Sequence, residues 1–158
     1  MKNIPKKARK ALAEGKILEA TTILGDYYSF TGTVVEGRHL GRILGFPTAN
    51  LEDDKIHPLI LPNGVYAVRI KYQMTMYNGM VNIGIRPTFD QHEVTIEVNL
   101  FDFSGDLYGH ELTLIFIERI RDEMKFPDLD ALKRQITSDK QRIVELLTGR
   151  NQPDPYTK

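Results

Sequence analysis

The chain has 158 residues, 41% hydrophobic and 27% charged, an ordinary globular composition at the length of one domain. Lysine plus arginine number 21, as do aspartate plus glutamate, so net charge is zero and the basic excess of a nucleic-acid binder is missing. The absence of cysteine removes disulfides, thiolate nucleophiles and cysteine-ligated metals, and fits a reducing, cytoplasmic setting. The longest strongly apolar run, Leu112 to Ile117, falls far short of the ~20 residues that a membrane span needs.

Residues 2–10 carry five cations (Lys2, Lys6, Lys7, Arg9, Lys10) and no acid. No apolar core follows them, which argues against a signal peptide. Ala8, Ala11, Leu12 and Ala13 suit a short helix ended by Gly15, so the charge run reads as a solvated helical face rather than a nucleic-acid contact. Ile17 to Leu24 reads as a second short helix stopped by Gly25. From Tyr27 the period becomes two: Tyr28, Phe30, Gly32 and Val34 alternate with more polar positions, which predicts a strand. Gly37 to Pro47 is a glycine-rich loop. Val65 to Met74 and Tyr77 to Ile85 read as a hairpin turning at Gln73–Met76. Val94 to Phe103 alternates strongly, Ser104-Gly105-Asp106 is a turn, and His110 to Ile120 is another apolar strand. Strands with short turns predict a closed or nearly closed antiparallel barrel. After Pro127 the period returns to 3.6, with Leu129, Leu132, Ile136, Ile143 and Leu147 on one stripe and Asp128 as N-cap. One amphipathic helix of ~20 residues should therefore pack on the barrel. Residues 149–158 form a polar tail with two prolines.

Within the strand of residues 94–103, Val94, Ile96, Val98 and Leu100 share one face, and Thr95, Glu97, Asn99, Phe101 and Phe103 share the other. If the aliphatic face fills the barrel, Glu97 points outward or toward the rim. Two phenylalanines on the same face predict that it is covered, by the C-terminal helix or by a flat ligand. The glycine loop is the sharpest chemical feature. Gly37, Gly41 and Gly45 let backbone N–H groups approach a phosphate, and Arg38 and Arg42 add positive charge. Thr48 and Asn50, two apart in an extended segment, turn a hydroxyl and an amide oxygen to one side, a pair that suits Mg²⁺ shared with phosphates. The loop lacks Walker A spacing, and no βαβ unit surrounds it, so a plain loop stays open as the alternative. The four histidines show no metal-ligand spacing.

Gly37, Gly41, Arg42, Gly45, Pro47, Thr48, Ala49 and Asn50 resemble the glycine loop and Pro-Thr-Ala-Asn signature of riboflavin kinases. Pro62-Asn63-Gly64-Val65-Tyr66, Asn82-Ile83-Gly84, Arg86-Pro87-Thr88-Phe89, Glu97-Val98-Asn99-Leu100, Asp106-Leu107-Tyr108-Gly109 and Arg121-Asp122-Glu123 follow in family order over residues ~27–147. Asn99 stands where many members carry His. The resemblance is to the C-terminal kinase module of bacterial bifunctional FAD synthetases. It implies a small six-stranded antiparallel Greek-key barrel with a C-terminal amphipathic helix and short N-terminal helices. It also implies the conversion of ATP and riboflavin into ADP and FMN, with a non-catalytic flavin- or nucleotide-binding barrel as the alternative. By the same resemblance Glu97 is the general base on the ribityl hydroxyl. Thr48 and Asn50 hold Mg²⁺ and the ATP phosphates, with Gly37, Gly41, Arg42, Gly45 and Pro47 closing over the nucleotide. Arg121, Glu123 and Phe126 line the flavin side. The expected partners are the two small substrates, with neither nucleic acid nor membrane, and an adenylyltransferase module is allowed in the parent protein. Residues 1–25 would be a helical linker remnant with few core contacts, 26–148 the kinase barrel with its helix, and 149–158 the tail. FAD formation is not expected of this chain.

Overall fold

The computed structural model describes residues 3–35, 48–87, 89 and 92–149. Two short helices come first: α1 (Lys6–Ala13) and α2 (Ile17–Leu24). The chain turns between them at Gly15 (φ 77°) and leaves the second at Gly25 (φ 71°), both left-handed conformations that a side chain resists. Their apolar faces are not peripheral. Ala8, Leu12 and Ala20 are wholly buried, and Leu12, Ile17 and Ala20 belong to the same core cluster as the barrel interior. The expectation of few core contacts for this segment is therefore corrected. A helix of eight residues has too few internal bonds to be stable alone, so these two exist because they close the barrel's end.

Six strands follow: β1 (Ser29–Val35), β2 (Ala49–Leu51), β3 (Gly64–Tyr72), β4 (Thr75–Pro87), β5 (His92–Leu100) and β6 (Glu111–Arg121). They form a closed barrel in the order β1-β2-β5-β4-β3-β6, every neighbouring pair antiparallel. Tyr66, Ile70, Ile83, Ile96, Leu112, Leu114 and Phe116 fill the interior. Phe116 stacks edge-on against Tyr66, with ring centroids 5.6 Å apart. The apolar run in β6 has two faces. Leu112, Leu114 and Phe116 point in, whereas Ile115 and Ile117 point out beneath the C-terminal helix.

That helix, α3 (Leu129–Gly149), begins where Asp128 Oδ1 accepts a hydrogen bond from the Ala131 amide at 2.8 Å, as an N-cap should. Ile143 and Leu147 pack on Val65, Ala67, Met80, Phe101, Ile115 and Ile117, which form a second core outside the barrel wall. The predicted stripe is right in its C-terminal half, but Leu129 at its start is 51% exposed. Sequence pattern shows β2 only as an extended segment. Three residues are too few to show a period, although their pairing with β1 and β5 closes the barrel. β5 also stops sooner than the alternation suggests. Asp102 has φ 58°, which reverses the chain and separates the two phenylalanines. Phe101 lies under α3 with the Lys140 ammonium over its ring, whereas Phe103 meets Tyr72 and Tyr77 edge-on. The helix covers Phe101, and Phe103 packs among the aromatic rings of the β3–β4 hairpin.

Candidate active site

Directly opposed residues of an antiparallel pair carry their side chains on one face, with Cβ atoms ~4.5–5.5 Å apart. Asn50 of β2 opposes Glu97 of β5, Glu97 opposes Asn82 of β4, Asn82 opposes Val65 of β3, and Val65 opposes Arg121 of β6. Since Leu51, Ile96, Val98 and Ile83 all point into the barrel, this row lies on its outer surface. One continuous line therefore runs Asn50–Glu97–Asn82–Val65–Arg121 around the wall. Asn50 and Glu97 are half-buried and Asn82 is exposed. Thr48, also half-buried, directly precedes β2, two residues before Asn50. The predicted base Glu97 and the predicted phosphate-side Asn50 are thus brought together by β2, the strand that sequence periodicity could not see.

The row is bounded along β4 and β5 by Gly84 and Thr95, an opposed pair one step further on the same face. A Cβ on Gly84 would lie 2.7 Å from Glu123 Oε1 and 3.2 Å from Thr95 Oγ1. The missing side chain is therefore the space into which Glu123 reaches. Glu123 arrives from the segment that follows β6, which brings this one of the predicted flavin-side residues beside the Gly84–Thr95 pair next to Glu97. Arg121 is placed differently from a simple ligand. Its Nε donates to both Asp139 oxygens at 3.0 and 3.1 Å, its Nη2 donates to Asp139 Oδ2 at 2.8 Å, and its Nη1 donates to the Asp122 carbonyl at 3.0 Å. The guanidinium also lies 5.9 Å from the Phe126 ring centroid, so it holds Phe126 by its face.

Inside the same end of the barrel Tyr66 donates to the Pro62 carbonyl at 2.6 Å, and burial raises its hydroxyl pKa despite the nearby Arg119. Burial opposes the charge of Arg119, but Asp122 and Tyr66 together raise its pKa above the ordinary value. Among the described residues no group of three His, Cys, Asp or Glu is placed to hold a metal ion. Gly37, Gly41, Arg42, Gly45 and Pro47 lie outside the described residues. Sequence reading did not single out Asn82 and Thr95 as site residues, or Asp139 at all. The first two occupy polar positions in alternating strands, but only strand register sets them beside Glu97. Asp139 sits in the middle of a helix otherwise read for its apolar stripe, and it is 3% exposed.

Comparison with known proteins identifies the family and the fold. The family model for riboflavin kinases matches residues 24–147. A bifunctional riboflavin kinase/FMN adenylyltransferase of Bacillus subtilis is 40% identical over 144 residues, 89% of this chain and 45% of that protein. The chain thus spans less than half the length of such relatives. A crystal structure described as a macrolide-efflux protein from Streptococcus pneumoniae superposes with a TM-score of 0.82 at 36% identity, over 90% of this chain and 47% of that one. The riboflavin kinase of Trypanosoma brucei superposes with a TM-score of 0.56 at 26% identity, over 77% of this chain and 80% of that one. No helix among the described residues is long and apolar enough to cross a membrane.

Proposed function

The chain belongs to the riboflavin kinase family, and from that premise we propose that it transfers the terminal phosphoryl group of ATP to the ribityl hydroxyl of riboflavin, giving FMN and ADP. The observation that carries the reading is the opposed pair Asn50–Glu97, which sets a carboxylate side chain and an amide side chain on the outer wall from strands one backbone spacing, ~4.8 Å, apart. Phosphoryl transfer asks a protein mainly for alignment and charge neutralisation. In this reading Glu97 orients the ribityl hydroxyl and takes its proton as the oxygen attacks phosphorus. Thr48 and Asn50 face the phosphates, and the glycine loop with Gly37, Gly41, Arg42, Gly45 and Pro47 encloses the nucleotide. Glu123 and Phe126 take the flavin side, with Arg121 supporting them.

A hydroxyl and an amide oxygen are neutral, weak ligands, so they fit Mg²⁺ arriving with ATP rather than an ion resident in the protein alone. When bound, the ion would supply neutralisation of the charge on the transferring phosphoryl group. The division into an N-terminal helical segment at 1–25 that packs on the barrel, a kinase barrel at 26–148 and a tail at 149–158 belongs to the same proposal. So do a cytoplasmic setting, the lack of a nucleic-acid or membrane partner, and an adenylyltransferase module in the parent protein.

The test is a flavin chromatogram after incubation with riboflavin, ATP and Mg²⁺. FMN accumulating as the end product is the expected result. No FMN would overturn the kinase reading, and steady conversion to FAD would overturn the single-product part of it.

A further inference from the structure

The two arginines at the end of β6 grip the chain from opposite faces, and a backbone irregularity makes this possible. Tyr66 opposes Arg119 while Val65 opposes Arg121, so Ile120 is an extra residue and the register shifts across it. Residues two apart in a regular strand would share a face. Here Arg119 turns inward over the Tyr66 ring, 5.9 Å from its centroid, and Arg121 turns outward to α3. The two guanidiniums then converge on one residue. Arg119 Nη1 donates to Asp122 Oδ1 at 2.7 Å, and Arg121 Nη1 donates to the Asp122 carbonyl.

Each arginine is itself anchored. Asp139 binds Arg121 by a forked ion pair and also accepts from Gln135 Nε2 at 2.9 Å, and Arg142 donates to the carbonyl of the bulged Ile120 at 3.0 Å. Arg119 Nη2 donates to the Asn63 carbonyl, while its Nε is buried without a partner among the described residues. Two glycines crowd the Arg119 side chain. A Cβ on Gly15 would lie 2.9 Å from its Cδ, and one on Gly64 would lie 2.9 Å from its Nη2. The α1–α2 turn thus backs Arg119 as α3 backs Arg121. The chain held this way continues directly into Glu123, whose carboxylate stands over Gly84 beside Thr95.

We propose that Arg119 and Asp139 are positioning residues for the acceptor side of the site: acting through Asp122 from opposite faces of β6, they fix where Glu123 and Phe126 stand relative to Glu97. The proposal rests on the riboflavin kinase reading. It predicts a selective effect, because the clamp touches the segment beside Glu97 and Thr95 and not the Thr48–Asn50 side.

The test measures riboflavin binding to the full chain by quenching of flavin fluorescence without ATP, together with kcat, both KM values and Tm. The variants are Asp139→Asn, Asp139→Glu, Arg119→Lys and Asp122→Ala. Asp139→Asn is expected to raise the riboflavin Kd and KM about 10-fold while the ATP KM moves less than about 2-fold, in line with the cost of small misplacements. Asp139→Glu keeps the carboxylate and should recover most of the loss. Arg119→Lys should repeat the selectivity. The Asp122 side chain is 85% exposed, so Asp122→Ala removes the acceptor that Arg119 holds without opening the core, and it should show the same selective rise; it decides the matter if the buried variants do not fold. A folded Asp122→Ala or Asp139→Asn that binds riboflavin as the parent does would overturn the clamp alone. Equal rises in both KM values that follow Tm would also overturn it, as a merely structural effect. A parent chain that binds no riboflavin would overturn the functional reading and the clamp with it.

Discussion

The outer wall of the barrel has two unlike halves. Around β3, β6 and the near end of β4 it presents Val65, Ala67, Met80, Ile115 and Ile117, and α3 lies across them. Around β2, β5 and the far end of β4 it presents Asn50, Glu97, Thr95 and Asn82, in part open to solvent. The border is sharp. On β4, Met80 and Asn82 are two residues apart on one face, yet the first is buried with α3 and the second is exposed. A barrel already has a filled interior, so an apolar outer surface needs a second layer, whereas a polar outer surface can remain available to substrates. The helix therefore occupies one half and the chemistry the other, with Val65 and Arg121 at the seam.

Removing the support of the closed end should have the largest effect. A chain lacking residues 1–25 exposes the core beneath Leu12, Ile17 and Ala20, and it is expected to lose its cooperative melting transition. A well-folded, active product in circular dichroism and turnover assays would mean that the barrel closes by itself. Within the helix-covered half, Ile143→Ala should lower unfolding free energy by about 2–5 kcal/mol, seen as a shift of the urea midpoint. Both KM values should stay near the parent values while the variant remains folded. In the polar half the outcome should invert. Glu97→Gln is expected to reduce kcat about 100-fold or more, roughly 2.7 kcal/mol of barrier, with riboflavin binding and Tm nearly unchanged. Near-parental turnover would remove Glu97 from the role of base.

Gly84→Ala probes the border between the halves more gently. The clash falls on the movable end of Glu123, so stability should change by less than about 1 kcal/mol. Riboflavin affinity should weaken about 3- to 10-fold, measured by fluorescence quenching. Unchanged affinity would place Glu123 away from the flavin.

The smallest effect belongs to the interior, which both halves share. Burial raises the hydroxyl pKa values of Tyr28 and Tyr66 above the usual ~10. The folded chain therefore keeps these protons at a pH where the unfolded chain has begun to release them. Their contribution is complete below pH ~10 and is lost as pH rises through the folded values. Melting temperature should be flat between about pH 7 and 9 and fall above about pH 10, and Tyr28→Phe should make that fall shallower.

Much of this was legible along the chain because it follows from local rules. Gly25 ends α2, Asp128 caps α3, and β3, β4 and β6 appear close to where period-two runs predict them. The ordered motifs from Gly37 to Glu123 were enough to suggest the family. Thr48, Asn50 and Glu97 could be named as site residues from their types and from that resemblance. Their assembly could not be derived in the same way. The three residues of β2 carry no period, and the Asn50–Glu97 pair exists only because the barrel closes through that strand. Whether Phe101 meets a helix or a ligand was decided by the reversal at Asp102 and the line taken by α3. The fate of the N-terminal helices depended on Leu12 and Ile17 finding the barrel's open end. The split of Arg119 from Arg121 needed a bulge at Ile120, set by two partner strands and invisible in either. Capping, turns and periodicity act over a few residues, so sequence by itself can determine them. Register, closure and which face receives a second layer depend on contacts between distant segments, so only the tertiary structure decides those.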